Sequence, residues 1–257
     1  MTGNMARILI IAGSDSGGGA GIQADIKTVT MLGGHAMTAV TSITAQNSVG
    51  VQSVHTVPAE TVIAQMDSVI SDIGIDAVKI GMLGSADIAE AVADRLEAIS
   101  VPIIFDPVMV ATSGSSLADV RTIGSFQRLM SIASVVTPNI PELNALGGAA
   151  VIMRNGCHLL LKGGHGEGEE ITDQLIAPNG QIVREIRSER IDTPHTHGTG
   201  CTLASAFACR LGQGYPLAEA FGDAVRFVQL AIRAAPGYGA GNGPMGHAAV
   251  RYFGGAA

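Results

Sequence analysis

The sequence contains few cysteines, few charged side chains and no long apolar run. Three cysteines among 257 residues form an odd, sparse set without metal-ligand spacing, which indicates a reduced, cytoplasmic chain. Charged residues make up only 14%, and the net charge of -7 comes without a basic cluster, which argues against nucleic acid as a partner. The apolar run at 8–12 is too short to span a membrane and leads into no small-residue cleavage site. We therefore expect a strand there, and neither a membrane segment nor a signal peptide.

Glycine and apolar residues are abundant by contrast. There are 34 glycines, 47% of the residues are hydrophobic, and short apolar runs alternate with longer helical patterns. Runs that are apolar on both faces indicate a parallel sheet covered by helices on two sides. No linker or repeat divides the sequence, which predicts one α/β domain over residues 1–257. The predicted strands are 7–11, 35–43, 77–80, 103–106, 135–136 and 158–162, with an edge hairpin at 174–190, and the predicted helices are 21–32, 59–73, 86–99, 120–131, 141–153, 200–211 and 216–234.

The stretch at 192–210 organises these predictions. Gly198, Thr199 and Gly200 precede an alanine-rich helix that begins near Cys201, and the glycines let a ligand approach the backbone closely. The unpaired N–H groups and the dipole at a helix N-terminus attract an anion, such as a phosphoryl group. The alternatives are a plain turn that caps the helix, and a cysteine that acts as a small hydrophobic side chain.

Polar side chains recur where the predicted strands end, which in an open parallel sheet is where ligands bind. The glycine-rich loop at 13–21 follows the first strand but lacks the lysine of a P-loop. Gln46 offers a donor and an acceptor to a nitrogen heterocycle, and Met82 can pack on a flat ring. Asp106 and Lys162 end two later strands, where a cation can neutralise phosphate oxygens. Each of these residues, taken singly, also fits a structural role.

Asn139 and Glu142 form a pair with two interpretations. Pro141 can begin a helix, which places Asn139 just before it and Glu142 in its first turn. Their oxygens can share a Mg²⁺ directly or through water. The same spacing is that of a capping box, and spacing alone favours the cap.

Seven segments, in order, resemble the hydroxymethylpyrimidine/phosphomethylpyrimidine kinases of thiamine biosynthesis, which belong to the ribokinase-type superfamily. They are AGSDSGGGAGIQADIKT, TAQNSVGVQSV, KIGML, DPVMVATSG, TPNIPE, LLKGGH and THGTGCTLASA, and they extend from residue 12 to residue 206. The resemblance implies a three-layer α/β/α ribokinase-like fold with a mainly parallel sheet, and a homodimer. It also implies ATP- and Mg²⁺-dependent phosphorylation of 4-amino-5-hydroxymethyl-2-methylpyrimidine to its monophosphate and then to its diphosphate.

The resemblance also implies residue roles. Gly198, Thr199 and Gly200 match the anion hole for the transferring phosphoryl group, and Cys201 stands where most of the superfamily has an aspartate base. A thiol at a helix N-terminus is expected to have a lowered pKa. Phosphoryl transfer depends mostly on positioning and charge neutralisation, so we expect Cys201 to orient the hydroxyl without being indispensable. The remaining candidates are Gly13, Asp25, Thr44, Gln46, Met82 and Val108 for substrate, Asp106, Asn139 and Lys162 for nucleotide, and Asn139 with Glu142 for the metal.

The sequence departs from the family pattern in two places. The segment between TPNIPE and LLKGGH is shorter than in many relatives, so residues 143–157 are expected to form one crossover helix. Ala240 stands where some relatives have a lysine, which removes one expected phosphate contact. Three other functions stay open: a pyridoxal kinase, a non-catalytic metabolite binder, and a hydrolase that pairs Cys201 with His195 or His197.

Overall fold

The computed structural model describes residues 5–110, 114, 117–165 and 168–250. The strands are β1 (Arg7–Asp15), β2 (His35–Gln46), β3 (Val51–Thr56), β4 (Ala77–Ile80), β5 (Ile103–Phe105), β6 (Val135–Val136), β7 (His158–Leu161), β8 (Glu170–Ile176) and β9 (Ile182–Glu189). The helices are α1 (Gly21–Met31), α2 (Ala59–Asp72), α3 (Ala86–Leu96), α4 (Val120–Ile132), α5 (Ile140–Ala145), α6 (Ala149–Arg154), α7 (Thr199–Gly212) and α8 (Leu217–Arg233).

The nine strands of the described residues form one sheet in the order β3-β2-β1-β4-β5-β6-β7-β8-β9. The six strands from β2 to β7 in this order are parallel. Strand β3 at one edge and the β8–β9 hairpin at the other pair antiparallel. The mainly parallel sheet with an edge hairpin, predicted from the sequence, is therefore confirmed.

Alternate residues of β1 are buried on opposite faces of the sheet, which explains its continuous apolar run. Ile8 and Ile10 pack with buried side chains of α1, α7 and α8. Leu9 and Ile11 pack on the other face with side chains of α2, α3 and α4. The result is the expected three-layer α/β/α arrangement.

Helix α7 lies directly on the centre of the sheet, in contact with β1, β4 and β5. Its sequence permits this because most of its sheet-facing residues are small, and Ala204, Ala206 and Ala208 are fully buried. A helix with small side chains packs its backbone close to the strands beneath it. The position of its N-terminus is therefore fixed by the sheet.

Two elements differ from the sequence predictions. Strand β3 was not predicted, because its residues, VQSVHT, are mostly exposed and form no apolar run. The single helix predicted at 141–153 is wrong, as is the single crossover helix at 143–157. Helix α5 ends before Gly147 and Gly148, whose φ angles of 89° and 90° a right-handed helix cannot accommodate.

No helix in the described ranges combines the length and the apolar character that crossing a membrane requires. The expectation of one domain over residues 1–257 includes residues outside the described ranges, and it stays a prediction.

Candidate active site

A cavity of about 1030 Å³ lies where the parallel strands end. Residues at the carboxyl ends of the six parallel strands line it together with the first turn of α7. With one exception, Asp25, every candidate predicted from the sequence contributes to this lining: Gly13, Thr44, Gln46, Met82, Asp106, Val108, Asn139, Glu142, Lys162, Gly198, Thr199, Gly200 and Cys201.

The start of α7 has the geometry of an anion site. Gly198 occupies the N-cap with φ of 87°, and a Cβ atom there would lie 1.9 Å from the carbonyl oxygen of Gly19, so only glycine fits. The cap makes no side-chain hydrogen bond to the helix. In the described part of the chain, the Thr199 N–H donates to Thr196 O at 3.3 Å, and no protein acceptor takes the N–H groups of Gly200 and Cys201. These two donors, at the positive end of the helix dipole, remain for a ligand.

Asp106 and Lys162 form an ion pair beside this helix start. Lys162 Nζ donates to Asp106 Oδ1 at 2.9 Å, and the Thr137 hydroxyl donates to the same oxygen at 2.9 Å. Burial opposes ionisation of Asp106, but Lys162, together with Lys79, holds its pKa below the ordinary value. A Cβ atom on Gly200 would lie 3.3 Å from Lys162 Nζ. The anion site and the ammonium group are therefore in contact distance of one another.

Asn139 and Glu142 form the capping box that their spacing favours. The Glu142 N–H donates to Asn139 Oδ1 and the Asn139 N–H donates to Glu142 Oε2, both at 2.8 Å. Burial and the nearby Asp106 carboxylate raise the pKa of Glu142 although Lys162 lies 3.8 Å away. Two carboxylates thus share one lysine, which leaves an excess negative charge facing the cavity. The cap does not use every oxygen lone pair of the two side chains, so it does not exclude a metal role.

Asp25 lies behind the cavity wall, where the expected contact with substrate has no support. It is fully buried, accepts a hydrogen bond from Lys79 Nζ at 2.8 Å, and accepts another from the Ser205 hydroxyl at 2.6 Å. Burial would lower the pKa of Lys79, but Asp25, together with Cys201 and Asp106, raises it above the ordinary value. Lys79, which is not among the site residues predicted from the sequence, keeps a positive charge beneath the site. Its signal in the sequence is a lysine inside an otherwise apolar strand.

The lowered pKa expected for Cys201 is wrong for this structure. Burial raises the pKa of its thiol to about 11, because the nearby Asp25 and Asp106 carboxylates add to the cost of a thiolate and the charge of Lys79 compensates only in part. The thiol is therefore neutral near pH 7. This also argues against the hydrolase alternative, since His197 bonds Asp15 and Gln46 instead.

Asp15 holds the glycine-rich loop in place, a role that the sequence analysis does not assign. Its carboxylate accepts the N–H groups of Gly17, Gly19 and Ala20 at 2.8 to 3.0 Å, and lies 3.0 Å from His197 Nε2. Burial opposes ionisation, but these hydrogen bonds keep the pKa of Asp15 below its ordinary value. Asp15 and His197 are 182 residues apart, so no local sequence pattern predicts their contact.

The ring side of the cavity is lined by Gly13, Thr44, Gln46, Met82 and Val108. A Cβ atom on Gly13 would lie 2.5 Å from Met82 Cε, so the glycine makes room for the methionine. This pocket offers a thioether, a side-chain amide and exposed backbone to a small flat ligand.

One position singled out in the sequence takes no part in the cavity, and part of one motif lies outside the described residues. Ala240 is exposed and does not line it. Residues 111–113 of the DPVMVATSG segment lie outside the described ranges.

The geometry agrees with comparisons to known proteins. A sequence model described as phosphomethylpyrimidine kinase matches residues 15–246. The chain belongs to the phosphomethylpyrimidine kinase family. The hydroxymethylpyrimidine/phosphomethylpyrimidine kinase of Rhizobium meliloti is 44% identical, over 93% of this chain and 96% of its own length. The chain spans only 35% and 52% of the length of two multifunctional thiamine biosynthesis proteins that it also matches.

Solved structures give the same result for the fold. Bacillus subtilis pyridoxal kinase in complex with ADP has a TM-score of 0.87 and 33% identity, covering 96% of this chain and 98% of that one. Phosphomethylpyrimidine kinase from Clostridium difficile 630 has a TM-score of 0.76 and 34% identity, covering 88% and 99%. The family and the ribokinase-like fold that the sequence motifs predict are thereby confirmed.

Proposed function

We propose that the chain is a hydroxymethylpyrimidine/phosphomethylpyrimidine kinase of thiamine biosynthesis. It transfers a phosphoryl group from ATP to the hydroxymethyl group of 4-amino-5-hydroxymethyl-2-methylpyrimidine, and then phosphorylates the monophosphate to the diphosphate. The observation that carries the proposal is the start of α7, whose uncapped N–H groups open onto a cavity with Lys162 on one side and Gln46 on the other.

The start of α7 stabilises the charge of the transferring group. The substrate hydroxyl oxygen forms a bond to the γ-phosphorus while the bond from that phosphorus to the leaving oxygen of ADP breaks, and the hydroxyl proton is released to solvent. Such a transfer passes through a loose transition state, in which positioned donors contribute most of the catalysis. Gly200 and Cys201 supply N–H donors, and Lys162 supplies positive charge. The Cys201 thiol, neutral near pH 7, orients the hydroxyl by a hydrogen bond and does not act as a preformed base.

ATP is the proposed phosphoryl donor, and Mg²⁺ is the proposed metal ion that binds with it. The related pyridoxal kinases crystallise with ADP or AMP-PCP, which supports a nucleotide site in this cavity. Among the described residues no cluster of three or more His, Cys, Asp or Glu side chains can hold a metal ion. Mg²⁺ needs few protein ligands, because it retains waters and binds phosphate oxygens. Glu142 and Asn139, with their oxygen atoms and the excess negative charge beside Lys162, would hold it together with the nucleotide, where it would neutralise phosphate charge.

The test is an assay of the purified protein with ATP, Mg²⁺ and the aminopyrimidine alcohol. We expect ADP release, with the monophosphate and then the diphosphate detected by mass spectrometry. Gly200→Val, which fills the space before the N–H groups, should abolish both products. Absence of ADP release from the wild type would refute the proposal and favour a non-catalytic metabolite binder.

Pyridoxal is the competing substrate, because a pyridoxal kinase shares the fold at a TM-score of 0.87. A parallel assay with pyridoxal measures which alcohol has the higher kcat/KM. We expect the aminopyrimidine to be preferred. A higher value for pyridoxal would replace the proposed substrate and leave the phosphotransferase chemistry intact.

We also propose a cytoplasmic homodimer. The three cysteines are unpaired, which suits a reducing compartment. Ile43, Val49 and Val54 are exposed on the β2–β3 edge, where a second copy can cover them. In analytical ultracentrifugation, the wild type should sediment as a dimer and Val54→Lys as a monomer. A monomeric wild type would refute the proposed dimer.

A further inference from the structure

Four side chains form a continuous chain of contacts across the ring side of the cavity. His197 Nε2 lies 3.0 Å from Asp15 Oδ2 and 3.2 Å from the position of Gln46 Nε2. The other end of that amide lies 3.2 Å from Thr44 Oγ1, and the Thr44 hydroxyl lies 2.9 Å from the carbonyl oxygen of Ser14. The amide of Gln46 is therefore held between a histidine and a threonine.

The Asp15 end of this chain determines where one proton sits. An ionised carboxylate only accepts hydrogen bonds, and Asp15 already accepts three backbone N–H groups. A histidine nitrogen 3.0 Å from it must carry a hydrogen, since two lone pairs would otherwise face each other. His197 Nε2 is therefore a donor, whatever the state of its other ring nitrogen.

The Ser14 end determines a second proton independently. A backbone carbonyl oxygen only accepts, so the single hydroxyl hydrogen of Thr44 points to Ser14 O at 2.9 Å. The lone pairs of the hydroxyl oxygen then face Gln46. Thr44 can accept a hydrogen bond from the amide and has no hydrogen left to donate to it.

The two ends require the same orientation of the amide. Its oxygen and nitrogen occupy equivalent positions, so two orientations related by a 180° turn fit the same space. With the nitrogen toward His197, an N–H faces an N–H and an oxygen faces the lone pairs of Thr44. With the oxygen toward His197 and the nitrogen toward Thr44, the amide donates a hydrogen bond to Thr44 Oγ1, and its oxygen shares the single hydrogen of His197 Nε2 with Asp15. Since a mismatch at either end leaves polar groups unpaired, the second orientation is strongly preferred.

We propose that Asp15 and His197, with Thr44, lock the Gln46 amide in this orientation and so set which ring edge the cavity accepts. The amide retains one acceptor position on the His197 side and one donor position on the Thr44 side. It matches a ring whose exocyclic amino donor neighbours a ring-nitrogen acceptor, as in a 4-aminopyrimidine. A 4-oxopyrimidine presents the reversed order, an acceptor beside an N–H, and is rejected. This inference rests on the proposed function and adds the basis of its specificity.

The experiment compares 4-amino-5-hydroxymethyl-2-methylpyrimidine with its 4-oxo analogue. The ratio of their kcat/KM values is measured for the wild type, His197→Leu and Thr44→Val, so that losses common to both substrates cancel. We expect a ratio above about 100 in the wild type, because a site with fixed hydrogen-bonding groups rejects the mismatched ring by orders of magnitude. Each anchor variant frees the amide to turn, so the ratio should fall about tenfold or more.

His195→Leu is the matched control, because His195 lies in the same loop but makes no hydrogen bond with Gln46 among the described residues. It should leave the ratio unchanged. If His197→Leu does not fold, Thr44→Val alone decides, since its isosteric side chain removes only the hydroxyl. A wild-type ratio near one, or a ratio unaltered in both anchor variants, would overturn the inference alone. Failure of the wild type to phosphorylate either pyrimidine would refute the proposed function and this inference together.

Discussion

Gly200→Ala should separate activity from stability, because the glycine stands between the α7 donors and the Asp106–Lys162 pair. An added Cβ atom would lie 3.3 Å from Lys162 Nζ and 3.6 Å from Asp106 Oδ2, distances that a small shift of the lysine tip relieves. Alanine is also the better helix former, by about 1 kcal/mol at most. We therefore expect the free energy of unfolding to change by no more than about 1 kcal/mol.

The same methyl group occupies the space that the transferring phosphoryl group needs. Loss of one donor of this kind costs about 100- to 1000-fold in rate, and we expect kcat/KM to fall by at least about 100-fold. Steady-state ADP release measures kcat/KM and urea unfolding measures the free energy of unfolding, both on the same preparations.

Gly124→Ala is the matched control for this variant. Gly124 lies in α4, an added Cβ atom there meets nothing within 4 Å, and the residue does not line the cavity. It should gain up to about 1 kcal/mol of stability with unchanged activity. Retention of activity in Gly200→Ala, or a loss of activity that merely follows a loss of stability, would refute the anion-site assignment.

Three further predictions concern the thiol and the buried ion pair. Cys201→Ser and Cys201→Ala should each lower kcat/KM less than Gly200→Val does; a larger loss in the cysteine variants would make the thiol the leading catalytic group. The rate of Cys201 alkylation by iodoacetamide, with the modified residue identified by mass spectrometry, should rise about tenfold per pH unit from pH 8 to 10. The reason is that the thiolate fraction grows tenfold per unit below a pKa of about 11. A rate that is already at its plateau at pH 7 would contradict the neutral thiol. Lys79→Met should lower the free energy of unfolding, measured in urea, by about 3 to 5 kcal/mol, because it leaves Asp25 without its partner. Adding Asp25→Asn to this variant should restore part of the lost free energy. If the losses of the two single variants simply add in the double variant, the pair is not coupled.

The sequence predicts the parallel sheet and most of the site for one physical reason. Residues that end parallel strands meet at one edge, so Asp106 and Lys162 can be assigned to a common cavity without knowing the strand order. Apolar runs such as 8–11 are long enough to identify buried strands. The same reasoning cannot predict β3, because this strand is stabilised by pairing with β2 and not by burial of apolar side chains.

Long-range contacts account for the other differences. The pairs Lys79–Asp25 and His197–Asp15 join residues 54 and 182 positions apart, and neither is visible in a local pattern. The pKa of Cys201 depends on burial and on two carboxylates from other elements, whereas the sequence reveals only the helix N-terminus. Sequence spacing thus predicts which residues gather, but not how their charges balance.

An added Cβ atom on Gly198 would lie 1.9 Å from the carbonyl oxygen of Gly19, so the loop after β1 and the first turn of α7 leave no room for a side chain between them. Any outward swing of that loop must carry the neighbouring His197 with it, through the bond to Asp15, and so shift the adjoining donors. Occupancy of the ring pocket and the shape of the phosphoryl site are therefore mechanically linked across a few backbone atoms.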